Sequence, residues 1–119
     1  MRQIVETISH CFRHGQAFKQ MKNGCFMYQV YRTHDGGKTV RYWNTTVAHV
    51  PGDCDFVILN SDGNRTVTTK QTINAALMGL GLPHQVYQKN GEWWVSGEDK
   101  PVLFHDGMRI HLTNARVYS

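Results

Sequence analysis

Turn signals recur along this chain at short intervals, and they limit what it can fold into. Asn23-Gly24, Asp35-Gly36-Gly37, Pro51-Gly52, Asp62-Gly63-Asn64, Asn90-Gly91 and Asp106-Gly107 each favour a tight reversal of the backbone. The stretches between them read as short strands. In CFMYQVYR, Phe26, Tyr28 and Val30 share one side, and Met27, Gln29 and Tyr31 the other. KTVRYWNTTVAHV supplies two short strands or one bent one, and DFVILN is a compact apolar strand. HQVYQ and WWVSG form a hairpin about KNGE, and VLFHDGMRIHLT contains a final pair around His105-Asp106-Gly107. In the last strand Met108, Ile110 and Leu112 alternate with Arg109, His111 and Thr113, so one face is buried and one wet. Strands this short and close pair antiparallel, since a parallel sheet needs more helical crossovers than this chain offers.

Two segments break the strand pattern. In MRQIVETISHCFRHG, Ile4, Ile8, Cys11 and Phe12 fall on one helical face, and Gly15 is a stop. In RTVTTKQTINAALMGLGLP, Ile73, Ala76, Leu77 and Leu80 make an apolar stripe that Gly81 and Pro83 end. Thr68 is the expected N-cap, with Gln71 three residues on to complete a capping box, which gives a helix of roughly 69–80. The expected fold is therefore α+β: a mostly antiparallel sheet of about six to eight short strands, an N-terminal helix and a second helix near 69–80. With 119 residues, and no repeat, linker or low-complexity segment, residues 1–119 suit a single domain.

Capping accounts for much of the second helix start, but not all of it. Arg65, Thr66, Thr68, Thr69 and Lys70 gather two cations and three hydroxyls at the positive end of a helix dipole. That combination suits a phosphate or carboxylate. The glycine-rich loop of a nucleoside triphosphatase is missing, so the expectation is a single anion or a backbone phosphate. Trp93 and Trp94 point to opposite faces of their strand, so one is expected in the core, while the other either packs under a helix layer or lies exposed, where it can stack a base or nucleotide. Trp43 is a third candidate, with Tyr28, Tyr31, Tyr42 and Tyr87 also on expected strands.

A family resemblance rests on NTTVAHV, GNRTVTTKQTIN and VYQKNGEWWVSG. The chain resembles a group of small proteins found mainly in tailed phages and archaea. They share a T-x-T-T-K-x-x-(I/L)-N block, here Thr66 to Asn74, and a Q-(K/R)-x-x-x-W block, here Gln88 to Trp93. The resemblance covers roughly residues 43–112 and leaves out the first helix. It brings no catalytic residue. It implies a viral accessory protein acting in the host cytoplasm.

The remaining constellations are weaker. Glu6, His10 and His14 line one exposed stripe of the first helix, but the glutamate does not sit between the histidines as in HExxH, and no third ligand follows. His34-Asp35 and His105-Asp106 could serve a His/Asp metal nuclease, yet Asp-Gly is also the ordinary hairpin dipeptide. Asp53 and Asp55 flank Cys54 at a strand start. Cys11, Cys25 and Cys54 form no CxxC pair, so neither a disulfide framework nor a cysteine zinc site is expected. No metal or other cofactor is expected, nor a membrane span, which needs ~18–20 apolar residues.

Net charge is +4, and residues 1–50 hold seven Lys/Arg against two acids. An anionic partner follows: nucleic acid, a nucleotide, or an acidic face of a host defence protein, with room for a homo-oligomer. The sequence reads as a binder rather than an enzyme, acting in host takeover or against a defence system. A nucleic-acid binder predicts a basic strip through Arg32, Lys38, Arg41 and Lys70. A protein that sequesters a nucleotide immune signal predicts an aromatic pocket with a cation on phosphate. An inhibitor of a host protein predicts neither, and a metal-dependent nuclease predicts that the His-Asp turns converge.

Overall fold

The computed structural model describes residues 2–112 and 117–118. Helix α1 (Arg2–His14) leads into a run of strands: β1 (Phe18–Lys22), β2 (Cys25–Arg32), β3 (Lys38–Tyr42), β4 (Thr45–Val50) and β5 (Phe56–Leu59). Helix α2 (Val67–Gly79) follows, then β6 (Gln85–Lys89), β7 (Glu92–Ser96), β8 (Val102–Leu103), β9 (Met108–His111) and β10 (Val117–Tyr118). Seven strands form one sheet in the order β1-β2-β3-β4-β5-β9-β10, and three form a second, β6-β7-β8. Every pairing is antiparallel. The expected α+β architecture is what forms.

The turn residues set the registers. Asn23-Gly24 and Asn90-Gly91 both take positive φ, at 54° and 78° and at 54° and 80°. That is the mirror-image turn whose twist matches two strands closed by two residues. Alternation then sorts the side chains. Val30, Val40, Ala48 and Leu59 lie opposite one another across β2 to β5, all essentially without solvent contact. Met108 and Ile110 continue that face on β9, as expected, while Arg109 is exposed. Thr113 lies outside the described residues.

Both helices cover this face. Ile8, Cys11 and Phe12 of α1 are buried in it. Burial of Ile8 and of Phe12 contributes about 1.5–3 kcal/mol each. Helix α2 is buried on more sides than its expected stripe, because α1, the large sheet and the small sheet all pack against it. Thr69, Thr72, Ala75 and Gly79 therefore join Ile73, Ala76 and Leu77 in the interior. The helices cross closely where Gly79 meets Ser9: a Cβ on Gly79 would stand 2.5 Å from the Ser9 carbonyl oxygen. Asn74 ties α2 to the small sheet, accepting from the Val86 amide at 2.7 Å and donating to its carbonyl at 2.9 Å.

The fold departs from expectation in several places: ten strands form among the described residues where the sequence predicts about six to eight, Phe18–Lys22 pairing with β2 among them. The segment around His105-Asp106-Gly107 is not a hairpin, because β8 pairs with β7 and β9 pairs with β5. Phe104 turns into the core, its amide on the Trp93 carbonyl, and the Gly107 amide donates to Leu59. These bonds make the segment a crossover between the sheets. Trp43, expected on a strand, sits instead in the β3–β4 turn with φ 52°.

Candidate functional site

The start of α2 lies two residues earlier than its pattern suggested. Thr66, not Thr68, is the N-cap: its backbone is extended, and its hydroxyl accepts from the Thr69 amide at 3.2 Å. Thr68 is already helical, its carbonyl accepting from the Thr72 hydroxyl. The Thr66 and Thr69 hydroxyls bond each other at 2.9 Å, and Thr69 is fully buried. Both hydroxyls are thus committed to the fold. So is Arg65, which donates to the Ser61 hydroxyl, lies 3.9 Å from Asp106 and rests 5.1 Å and 4.8 Å from the ring centres of Trp93 and Phe104. Thr68 and Lys70 are half-buried in the opening turns of α2.

The basic strip is not continuous. Arg32 donates to the Gly15 carbonyl and Lys38 to that of Arg13, so both serve the C-terminal end of α1, where carbonyls carry partial negative charge. Lys38 also lies over the Phe12 ring, and burial together with Arg32 lowers its pKa. Arg13 does the same for α2, donating to Gly79 and Met78. Arg41 alternates with these residues onto the opposite face of the sheet and donates to Asn44.

The two His-Asp turns are also spoken for. Asp35 accepts from the Thr33 hydroxyl and the Gly37 and Gly52 amides. These bonds hold its carboxyl down at about 2. At Asp106, burial pushes the pKa up, but the Ser61 hydroxyl, the Ser61 and Gly63 amides and Arg65 outweigh it and leave it lowered. Both carboxylates staple loops. Asp55 pairs with His111 at 2.9 Å, and the His10 and His14 rings contact each other tilted, their centres 4.6 Å apart. Among the described residues no three His, Cys, Asp or Glu converge as a metal site would require, and no helix is long and apolar enough to cross a membrane.

The tryptophans separate clearly. Trp93 is 3% exposed, edge-on to Phe104. Trp94 points to the other side of the small sheet, away from the core. Because the two-residue turn fixes the register, Tyr87 lies directly opposite Trp94, and Lys89 opposite Glu92. This outer face holds a cleft of about 470 Å³ lined by Tyr87, Lys89, Asn90, Glu92, Trp94, Lys100 and Pro101. That volume is within the roughly 300–1,000 Å³ usual for small-ligand sites. Lys89, Glu92 and Lys100 are exposed, and their side chains make no hydrogen bond or ion pair among the described residues. Two rings thus floor a concavity edged by two unpaired cations.

Of the residues in this cleft, the sequence singles out Trp94 and, less strongly, Tyr87, but not Lys89, Glu92 or Lys100. A signal for Lys89 and Glu92 is nonetheless present. An Asn-Gly turn with two central residues places Lys89 opposite Glu92 and Tyr87 opposite Trp94 by counting outward. Lys100 comes from the β7–β8 connection and has no periodic signal. Neither Trp43 nor Trp93 joins the cleft.

A family model described as Kyanoviridae Gp96 protein matches residues 1–111. The match takes in α1, which the resemblance read over residues 43–112 leaves out. No curated protein and no solved structure matches the chain.

Proposed function

This chain belongs to the Kyanoviridae Gp96 protein family, a family of phage proteins, and from that premise we propose that it is an accessory protein binding a nucleotide, free or within a strand, in the Tyr87–Trp94 cleft. The observation that carries the reading is the pairing of an aromatic floor with the unpaired ammonium groups of Lys89 and Lys100. A base stacks on such rings for about 1–3 kcal/mol whatever its identity. A phosphate then meets the lysines. Thr68 and Lys70, with the Val67 and Thr68 amides, form a second place for an anion. The protein holds its ligand without turning it over. In the infected host that serves takeover or the blunting of a defence signal.

The test is a calorimetric titration of the full chain with mononucleotides and short single-stranded oligonucleotides, repeated with Trp94→Leu, Lys100→Ala and Lys70→Ala. Binding that falls at least tenfold in Trp94→Leu and in Lys100→Ala supports the cleft. Loss only in Lys70→Ala moves the site to the start of α2. An oligonucleotide affinity that drops steeply with salt identifies a strand rather than a free nucleotide. A wild-type chain that binds none of these ligands contradicts the reading.

A further inference from the structure

Resting on that reading, we infer that the base taken by the cleft is guanine, read by Glu92. The starting point is a misfit. Glu92 is a carboxylate on the rim of a site built for an anion, exposed and without a partner among the described residues. Near a phosphate it weakens binding unless it accepts hydrogen bonds from the ligand itself. Its placement allows that. Glu92 and Trp94 are two residues apart on one strand and share the outer face, so their side chains rise roughly 7 Å apart. That is about the length of a purine stacked on Trp94 and Tyr87, whose pairing edge then reaches Glu92.

An ionised carboxylate only accepts, and it offers two oxygens side by side. Among the common bases, guanine alone presents two adjacent N–H donors on that edge, N1–H and N2–H, next to the acceptor O6. Lys89, directly across from Glu92, supplies donors and no acceptor, so its ammonium complements O6. Adenine offers one donor beside an acceptor. Uracil flanks its single N–H with two carbonyl oxygens, which a carboxylate repels.

The test uses the full chain, titrated with guanosine, inosine, adenosine and uridine monophosphates, with Glu92→Gln in parallel. Inosine monophosphate lacks only the N2 amino group. Guanosine monophosphate is expected to bind tightest, and the inosine compound roughly tenfold to a hundredfold more weakly. Glu92→Gln is expected to weaken guanosine binding by about tenfold or more and to bring the two compounds together. Circular dichroism checks that this exposed substitution leaves the fold intact. Equal wild-type affinity for the guanosine and inosine compounds, or a guanine preference that survives in Glu92→Gln, overturns the assignment of the base while leaving nucleotide binding standing. Absence of binding by all four overturns the nucleotide reading itself.

Discussion

Replacing Thr66 by alanine removes two things at once. The Thr69 amide loses its cap, which costs about 0.5–2 kcal/mol. The Thr69 hydroxyl, fully buried, loses its partner at 2.9 Å, and an unsatisfied buried hydroxyl costs about 1–3 kcal/mol. The two losses overlap, so a total of about 2 kcal/mol is expected. With a urea slope near 1.5 kcal/mol per molar, the unfolding midpoint falls by roughly 1.3 M. Thr66→Ser keeps the oxygen and should stay within about 0.5 kcal/mol of the parent. Thr68→Ala is the decisive control. Thr68 contributes its backbone carbonyl to the Thr72 hydroxyl, and alanine keeps that carbonyl, so about 0.5 kcal/mol or less is expected. Urea titration followed by circular dichroism reads all three. A Thr68→Ala loss equal to or larger than that of Thr66→Ala would refute the placement of the cap.

Two other perturbations follow from the fold. Gly79→Ala drives a Cβ to 2.5 Å from the Ser9 carbonyl oxygen, an overpacking cost of about 1–3 kcal/mol against a helix gain of at most ~1 kcal/mol. Its melting temperature should fall by several degrees, while Met78→Ala next to it, at an exposed position, should move little. Asp35 has a folded pKa of about 2 against an ordinary 3.8, so the unfolded chain binds more protons between those values and stability rises with pH across that window. The contribution is complete above about pH 4 and is lost as pH falls through about 2. In Asp35→Asn the acid-unfolding profile should be flatter there, and an unchanged slope would show that the Asp35 bonds do not stabilise the fold.

The β2–β5 run of the large sheet is legible in the sequence because its information is local, whereas the β5–β9 pairing joins segments on either side of α2 and the small sheet. Asn-Gly turns and period-two alternation in CFMYQVYR and MRIHLT specify strand, register and face together. The separate fates of Val102–Leu103 and Met108–His111 are not legible, since the same Asp-Gly dipeptide that closes a hairpin here joins two sheets. What decides between them is tertiary: Phe104 in the core and the Asp106 carboxylate on Ser61 and Gly63. The same blindness affects the charges. Arg32, Lys38 and Arg13 look like surface cations, and only the fold reveals them at helix C-termini. The block from Thr66 to Asn74 is largely architectural, with Thr66 as cap, Ile73 in the core and Asn74 clamping Val86. The cleft is hidden in the sequence because it needs the β6–β7 register and the β7–β8 connection at once.

A nucleotide held on the outer face of the small sheet lies against Trp94. The three tryptophan indole N–H groups report on it separately, in a nuclear magnetic resonance spectrum assigned with single Trp→Phe variants. Trp43 lies in the β3–β4 turn, Trp93 is buried under Arg65, and Trp94 lines the cleft. Titration with guanosine monophosphate is expected to shift the Trp94 resonance progressively to saturation, leaving that of Trp43 in place. A titration in which Trp94 stays fixed, or in which Trp43 alone responds, contradicts the account.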